Sequence, residues 1–256
     1  MKTRRRFSPF LLGLCAIGAL FAGGCLAPFR SKAPAPIPTL PVSNAAAASS
    51  CTGLLLPGTW DRPRDFLRHG FGELAREAGA PLDLVAVDAH VGYYRNRSVV
   101  VRLDEDLVAP LRERGEKVWL AGISLGGIGS LLYAAEHPER VSGLVLLSPF
   151  LGEKELLEEI QRAGGPLAWQ PPAEIAADDW QRRVWSFLKD WHASKGPKPA
   201  IYLGFGSGDD FAEGNRLLAG ILPPEHVREL PGGHDWKTWK QLWQAFLAAD
   251  IFHACR

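Results

Sequence analysis

Val118-Trp-Leu-Ala-Gly-Ile-Ser124-Leu-Gly-Gly-Ile-Gly-Ser-Leu-Leu-Tyr133 is the stretch from which the fold is read. It opens as an apolar run of β character, passes through Gly122-x-Ser124-x-Gly126, and continues as a helix of small residues and leucines. A buried parallel strand that turns sharply into a helix holds its turn residue in a strained conformation. Glycines on both sides let strand and helix approach closely. The Ser124 hydroxyl is then expected above the carboxyl edge of a sheet, where the first helix amides can receive negative charge. The bland alternative is a purely structural strand-to-helix turn.

Working outward, apolar runs alternate with helical periodicity. Strands are expected at 52–58, 82–88, 117–123, 141–147, 200–205 and 226–230. Helices are expected over about 64–77, 99–114, from Leu125 onward, and 236–249. This alternation predicts an α/β fold with a mostly parallel sheet of about six strands and helices on both faces. Residues 151–198 are too long for a plain connection and carry Trp169, Trp180, Trp185 and Trp191. They read as a small helical cap, its tryptophans either lining an apolar pocket or packing the cap onto the body.

The 256 residues are 46% hydrophobic and 22% charged, which suits one globular domain. A net charge of +1 gives no electrostatic reason for a nucleic-acid partner. Residues 1–24 combine Lys2, Arg4, Arg5 and Arg6 with a short apolar run and Ala22-Gly23-Gly24, the build of an export signal. Cys25 follows directly and resembles the lipidated cysteine of bacterial lipoproteins, although Ala22 stands where that family prefers Leu. Cleavage without lipidation and an uncleaved anchor are the other readings. Residues 25–50 hold five prolines between Pro28 and Pro41 and read as a linker carrying a domain at 51–256. The expected location is the cell envelope, tethered to the membrane through the N-terminus.

Of four cysteines, Cys15 lies inside the signal and Cys25 is the lipid candidate. Cys51 opens the first core strand and Cys255 follows the last helix, which runs antiparallel to the strands. Both therefore fall at the sheet end opposite the Ser124 turn, and in an oxidising compartment they read as a disulfide. Two free thiols are the alternative.

A serine hydroxyl needs an imidazole to take its proton, and the imidazole needs a carboxylate to fix its tautomer. In such a sheet these partners sit on later loops, in the order Ser, acid, His. Gly206-Ser-Gly-Asp209-Asp210 follows the penultimate strand and Pro231-Gly-Gly-His234 the last. His234 is the expected base, with His90 as its rival and His137 read as structural. Asp209 is the first choice of acid and Asp210 the alternative; Glu153 and Glu155, just after the preceding strand, are the third choice. The oxyanion donors are expected at Leu125 N–H and in Pro57-Gly58-Thr59-Trp60, with Thr59 preferred and Trp60 open.

With Gly122-Ile-Ser124-Leu-Gly-Gly127, the Gly-x-x-Asp209 turn and the Gly-Gly-His234 turn in this order, the chain resembles the α/β-hydrolase superfamily over about 51–256. His-Pro-Glu-Arg-Val at 137–141 adds to the likeness, and 232–239 resembles the C-terminal motif of esterase-D-like enzymes. Pro57-Gly58 replaces the His-Gly of many relatives. The resemblance implies cleavage of a small-molecule carboxylic ester through an acyl-serine intermediate, with no cofactor. Acyl transfer, thioester cleavage and a non-catalytic binding module are the other functions this scaffold serves.

Overall fold

The computed structural model describes residues 32–45 and 49–256. The signal segment 1–24, with Cys15, and the lipidation candidate Cys25 lie outside the described residues.

Seven strands form one sheet: β1 (Thr39–Ser43), β2 (Cys51–Leu56), β3 (Asp83–Val87), β4 (Lys117–Ile123), β5 (Gly143–Leu147), β6 (Ala200–Gly206) and β7 (Val227–Leu230). Their order across the sheet is β1-β3-β2-β4-β5-β6-β7. All pairings are parallel except β1 with β3, which is antiparallel.

The seventh strand corrects the reading of 25–50 as a linker. β1 lies inside that proline-rich stretch and pairs Thr39 with Val87 and Pro41 with Val85, with a register shift before Ser43. Proline cannot donate to a ladder and is tolerated on an edge strand or at a bulge, and β1 has both. Ile37 is buried, and its amide donates to Asp106 Oδ2 at 2.7 Å. Tyr93 Oη donates to Pro34 O at 2.7 Å. The segment is thus strapped to the domain.

Side chains of the central strands alternate between two cores, as the period of two requires. Leu54, Leu56, Leu120, Leu144, Leu146, Ile201 and Leu203 face one core. There they meet α3 (Val91–Arg95), α4 (Val99–Leu103), α5 (Ala109–Glu113), α6 (Leu125–Glu136), α7 (Lys154–Arg162), α8 (Trp180–Ala193) and α9 (Ala212–Ala219). Leu55, Trp119, Ile123, Val145, Leu147 and Tyr202 face the other. That face is covered by α1 (Pro63–Arg68), α2 (Phe71–Glu77) and α10 (Trp236–Ala248).

Two expected helices are broken. The one at 64–77 divides at Gly70, whose φ of 75° ends α1 and starts α2. The one at 99–114 contains a π turn, Asp104–Val108, between α4 and α5. Asp104 there accepts from Tyr133 Oη at 2.7 Å and from Arg140 Nη1 at 2.5 and 2.6 Å. The Arg of the His-Pro-Glu-Arg run therefore ties the turn after α6 to the π turn.

Residues 151–198 contain the crossover helix from β5 to β6, because α8 lies along α6 in the body. Their tryptophans pack this segment down. Trp169, Trp180, Trp185 and Trp191 are all buried in the first core. Trp185 Nε1 donates to Leu151 O at 2.7 Å and Trp191 Nε1 to Pro199 O at 2.8 Å.

Cys51 and Cys255 are disulfide-bonded, with Cα atoms 5.6 Å apart. Cys255 sits in a 3-10 turn, His253–Cys255, just beyond α10.

Candidate active site

Register brings five strand ends to one edge. Leu56 pairs with Gly122, Ile123 with Leu147, Leu147 with Gly204, and Gly206 with Leu230. The loops beginning at Pro57, Ser124, Ser148, Ser207 and Pro231 therefore open along the same carboxyl edge, where sheets of this kind place their ligands.

Ser124 stands at the N-cap of α6 with φ 51° and ψ −111°, a conformation that costs energy for any residue with a Cβ. The surroundings enforce it. Ser124 N donates to Leu147 O at 2.9 Å, and Gly127 N and Ile128 N return to Ser124 O at 3.0 and 3.3 Å. A Cβ on Gly122 would come 2.2 Å from Gly126 O, and one on Gly126 would come 2.1 Å from Leu56 O. No other residue fits either position without moving backbone. Leu125 is the first helical residue, so its N–H has no intrahelical acceptor.

Asp209 and His234 meet across two loops that are themselves joined. Ser207 N donates to Leu230 O at 2.8 Å and Gly208 N to Gly232 O at 2.9 Å. His234 Nδ1 lies 2.9 Å from Asp209 Oδ2 and 3.1 Å from Oδ1. The Asp209 side chain is fully buried, whereas that of His234 keeps 17% of its surface exposed. Phe211 N donates to Asp209 Oδ1 at 2.8 Å and fixes the carboxylate. Phe211 and Trp239 pack edge-on against the imidazole, with centroids at 4.8 and 5.0 Å. Asp235 caps α10 by accepting from Thr238 N at 2.8 Å, which anchors the turn carrying His234.

The alternatives fall elsewhere. Asp210 is exposed, and the carboxylate that meets His234 Nδ1 is that of Asp209. Glu153 caps the start of α7, where burial, followed by the charge of Glu155, pushes its carboxyl up. His90 caps α3, its Nδ1 accepting from Gly92 N at 3.1 Å. His137 ends α6 beside Tyr133.

The loop after β2 forms a closed turn in which Asp61 N donates to Gly58 O at 3.2 Å. A Cβ on Gly58 would lie 3.6 Å from Ser124 Cβ, so this turn borders the serine directly. Thr59 is the next residue, and its Oγ1 is buried with no hydrogen-bond partner among the described residues. Trp60 is 66% exposed.

A family model described as a putative esterase matches residues 97–250. The chain belongs to the putative esterase family. It is 30% identical over 152 residues to an acetyl esterase of Caldicellulosiruptor saccharolyticus, covering 52% of this chain and 54% of that one. It is 29% identical over 127 residues to a 2-hydroxy-6-oxononadienedioate/2-hydroxy-6-oxononatrienedioate hydrolase of Comamonas testosteroni, covering 49% and 42%. The chain thus spans about half the length of the curated relatives it matches. The S-formylglutathione hydrolase of Staphylococcus aureus superposes with a TM-score of 0.54 at 16% identity, over 82% of each chain. That likeness establishes a shared α/β-hydrolase fold.

In this esterase-family chain, sequence reasoning passed over Asp61. Its Oδ1 accepts from Trp236 Nε1 at 2.9 Å, joining the loop after β2 to the helix after His234. Its Oδ2 lies where a Cβ on Gly58 would come within 2.6 Å. Burial raises its carboxyl above the ordinary range, against the Trp236 hydrogen bond; the like charge of Asp65 adds to the rise, and His234 and His69 oppose it. The available signal was a carboxylate three residues after Gly58, which reads equally well as a helix-start residue.

Proposed function

We propose that this chain is a serine carboxylesterase working through an acyl-enzyme, with Ser124 as nucleophile, His234 as general base and acid, and Asp209 as the acid that orients His234. The observation that carries the reading is the buried Asp209 carboxylate spanning His234 Nδ1 at the same sheet edge as the strained Ser124. With Nδ1–H held by Asp209, the lone pair sits on Nε2, the atom that takes the serine proton. Ser124 Oγ attacks the ester carbonyl, and the oxyanion is received by the amides of Leu125 and Thr59. His234 then gives the proton to the departing alcohol. Water, deprotonated by the same imidazole, attacks the acyl-serine and returns the free enzyme.

The test is hydrolysis of p-nitrophenyl esters from acetate to palmitate by the full chain and its Ser124→Ala variant, alongside labelling by a fluorophosphonate probe. The reading expects labelling and turnover in the parent, and a loss of about 10,000-fold or more in the variant. Equal behaviour of the two proteins on every ester sinks it.

Export and membrane tethering through a lipidated Cys25 complete the proposal. The Cys51–Cys255 disulfide supports an oxidising compartment. Metabolic labelling with a radioactive fatty acid tests the tether: incorporation is expected in the parent and absent in Cys25→Ser, and an unlabelled parent overturns lipidation.

A further inference from the structure

The carboxylate of Asp61 has no part in the proton relay, yet it stands inside the site. It and Ser124 flank the same residue, since a Cβ on Gly58 would meet Asp61 Oδ2 at 2.6 Å and Ser124 Cβ at 3.6 Å. Oδ1 is committed to Trp236 Nε1 at 2.9 Å. Among the described residues no hydrogen bond runs to Oδ2. A half-buried carboxylate oxygen with no protein donor is met by water, and a substrate hydroxyl can take that water's place as donor.

Which part of an ester would supply that donor follows from the side on which Asp61 lies. Trp236 is two residues beyond His234, and the Asp61 carboxyl is close enough to His234 and His69 to feel their charge. The imidazole side of a serine hydrolase is where the alcohol departs, since His234 must hand it a proton. His234 becomes cationic at that moment, which disfavours a second cation on the alcohol and suits a neutral hydroxyl. Trp60 adjoins Asp61 and exposes 66% of its surface. An aromatic face beside a carboxylate suits a ligand that alternates C–H faces with hydroxyls.

Building on the triad reading above, we infer that Asp61 is a specificity-determining residue that accepts a hydrogen bond from a free hydroxyl on the alcohol portion of the substrate, so that the preferred substrates are acyl esters of polyols or sugars.

The experiment compares glycerol monobutyrate with propyl butyrate, which shares the acyl group and lacks the spare hydroxyls, using the full chain, Asp61→Leu and Asp61→Asn. The parent is expected to favour the glycerol ester in kcat/KM. Asp61→Leu is expected to reduce that preference roughly tenfold or more, because a hydrogen bond to a charged group is lost. The fall should appear mainly in KM for the glycerol ester. Asp61→Asn keeps the shape and an acceptor for Trp236, and should give an intermediate ratio if Asp61→Leu does not fold. A ratio unchanged in both variants overturns the inference. So does an equal loss on both esters, which would make Asp61 a support for the loop. A parent that cleaves neither ester and is not labelled by fluorophosphonate instead refutes the triad reading, so the two failures are distinguishable.

Discussion

His234 Nδ1 sits astride the Asp209 carboxylate, 2.9 Å from one oxygen and 3.1 Å from the other, while the adjacent Asp210 points to solvent. Neighbours in sequence therefore differ sharply in burial. Asp209→Asn should lower kcat by about 10,000-fold, because an amide favours the wrong imidazole tautomer. Asp210→Asn should stay within about twofold of the parent, as expected for an exposed surface change. Steady-state kinetics of the two variants on one ester checks this, and a reversed order would move the acid to Asp210.

Asp61 also gives a stability signature. Burial raises its folded-state pKa above the ordinary carboxylate value, so its protonated form is favoured by folding. The associated stability is fully present below about pH 4 and is lost as pH rises through the raised value. Asp61→Asn, which cannot ionise, should therefore melt above the parent at pH 7 and converge with it near pH 3. Thermal unfolding across that range measures the gap; a gap that widens on acidification contradicts the assignment.

The π turn carries the opposite sign. Asp104 feels burial, but hydrogen bonds from Tyr133 and Arg140 and the charge of Arg140 hold its carboxyl below the usual range. Its contribution is present above about pH 4 and disappears as pH falls through the lowered value. Tyr133→Phe should cost about 1–2 kcal/mol at pH 7, since it removes a hydrogen bond to a charged acceptor. That cost should shrink in acid. Denaturant titrations of parent and variant at pH 7 and pH 3 test both statements.

Gly126 tolerates no side chain, because a Cβ there would sit 2.1 Å from Leu56 O. Gly126→Ala should push α6 off β2 and cost roughly 2 kcal/mol or more, displacing Ser124 with it. The check is a joint fall in melting temperature and fluorophosphonate labelling. A stable variant that labels at the parent's rate would show the contact to be soft.

Much of this was legible because period and punctuation agree. The apolar runs of β2 and β4 to β6 are buried on both faces, and each ends in the Gly, Ser or Pro that opens a loop of the site. The proposed order Ser124, Asp209, His234 rests on loop positions in the chain and needs no distance. Asp209 and Asp210 could not be separated, since which one faces inward depends on a turn closed by Asp209 N to Gly206 O and Ala212 N to Asp209 O. β1 was hidden by Pro38 and Pro41, residues that argue against a strand unless an edge position and a bulge are available. The tryptophans of 151–198 were ambiguous because a large apolar ring serves a core and a pocket equally; their buried positions, with the indoles of Trp185 and Trp191 bonded to backbone, put them in the core. Asp61 escaped notice because its meaning lies in Trp236, which is 175 residues away along the chain.

Removing the Cys51–Cys255 bond should lower the melting temperature markedly. A loop spanning 204 residues corresponds to roughly 5 kcal/mol in the chain-entropy model. Melting of the parent with and without reductant, beside a Cys51→Ala/Cys255→Ala double variant, measures it. Melting curves that coincide would contradict a structural role.

The same bond turns residues 51–255 into a covalently closed ring, with β1 left as a strip of sheet outside it. A pull from the N-terminal side meets the ties of Pro34 and Ile37 first, and then the short antiparallel ladder of β1 with β3. The load then arrives at the sulfur bridge, at the sheet end opposite Ser124.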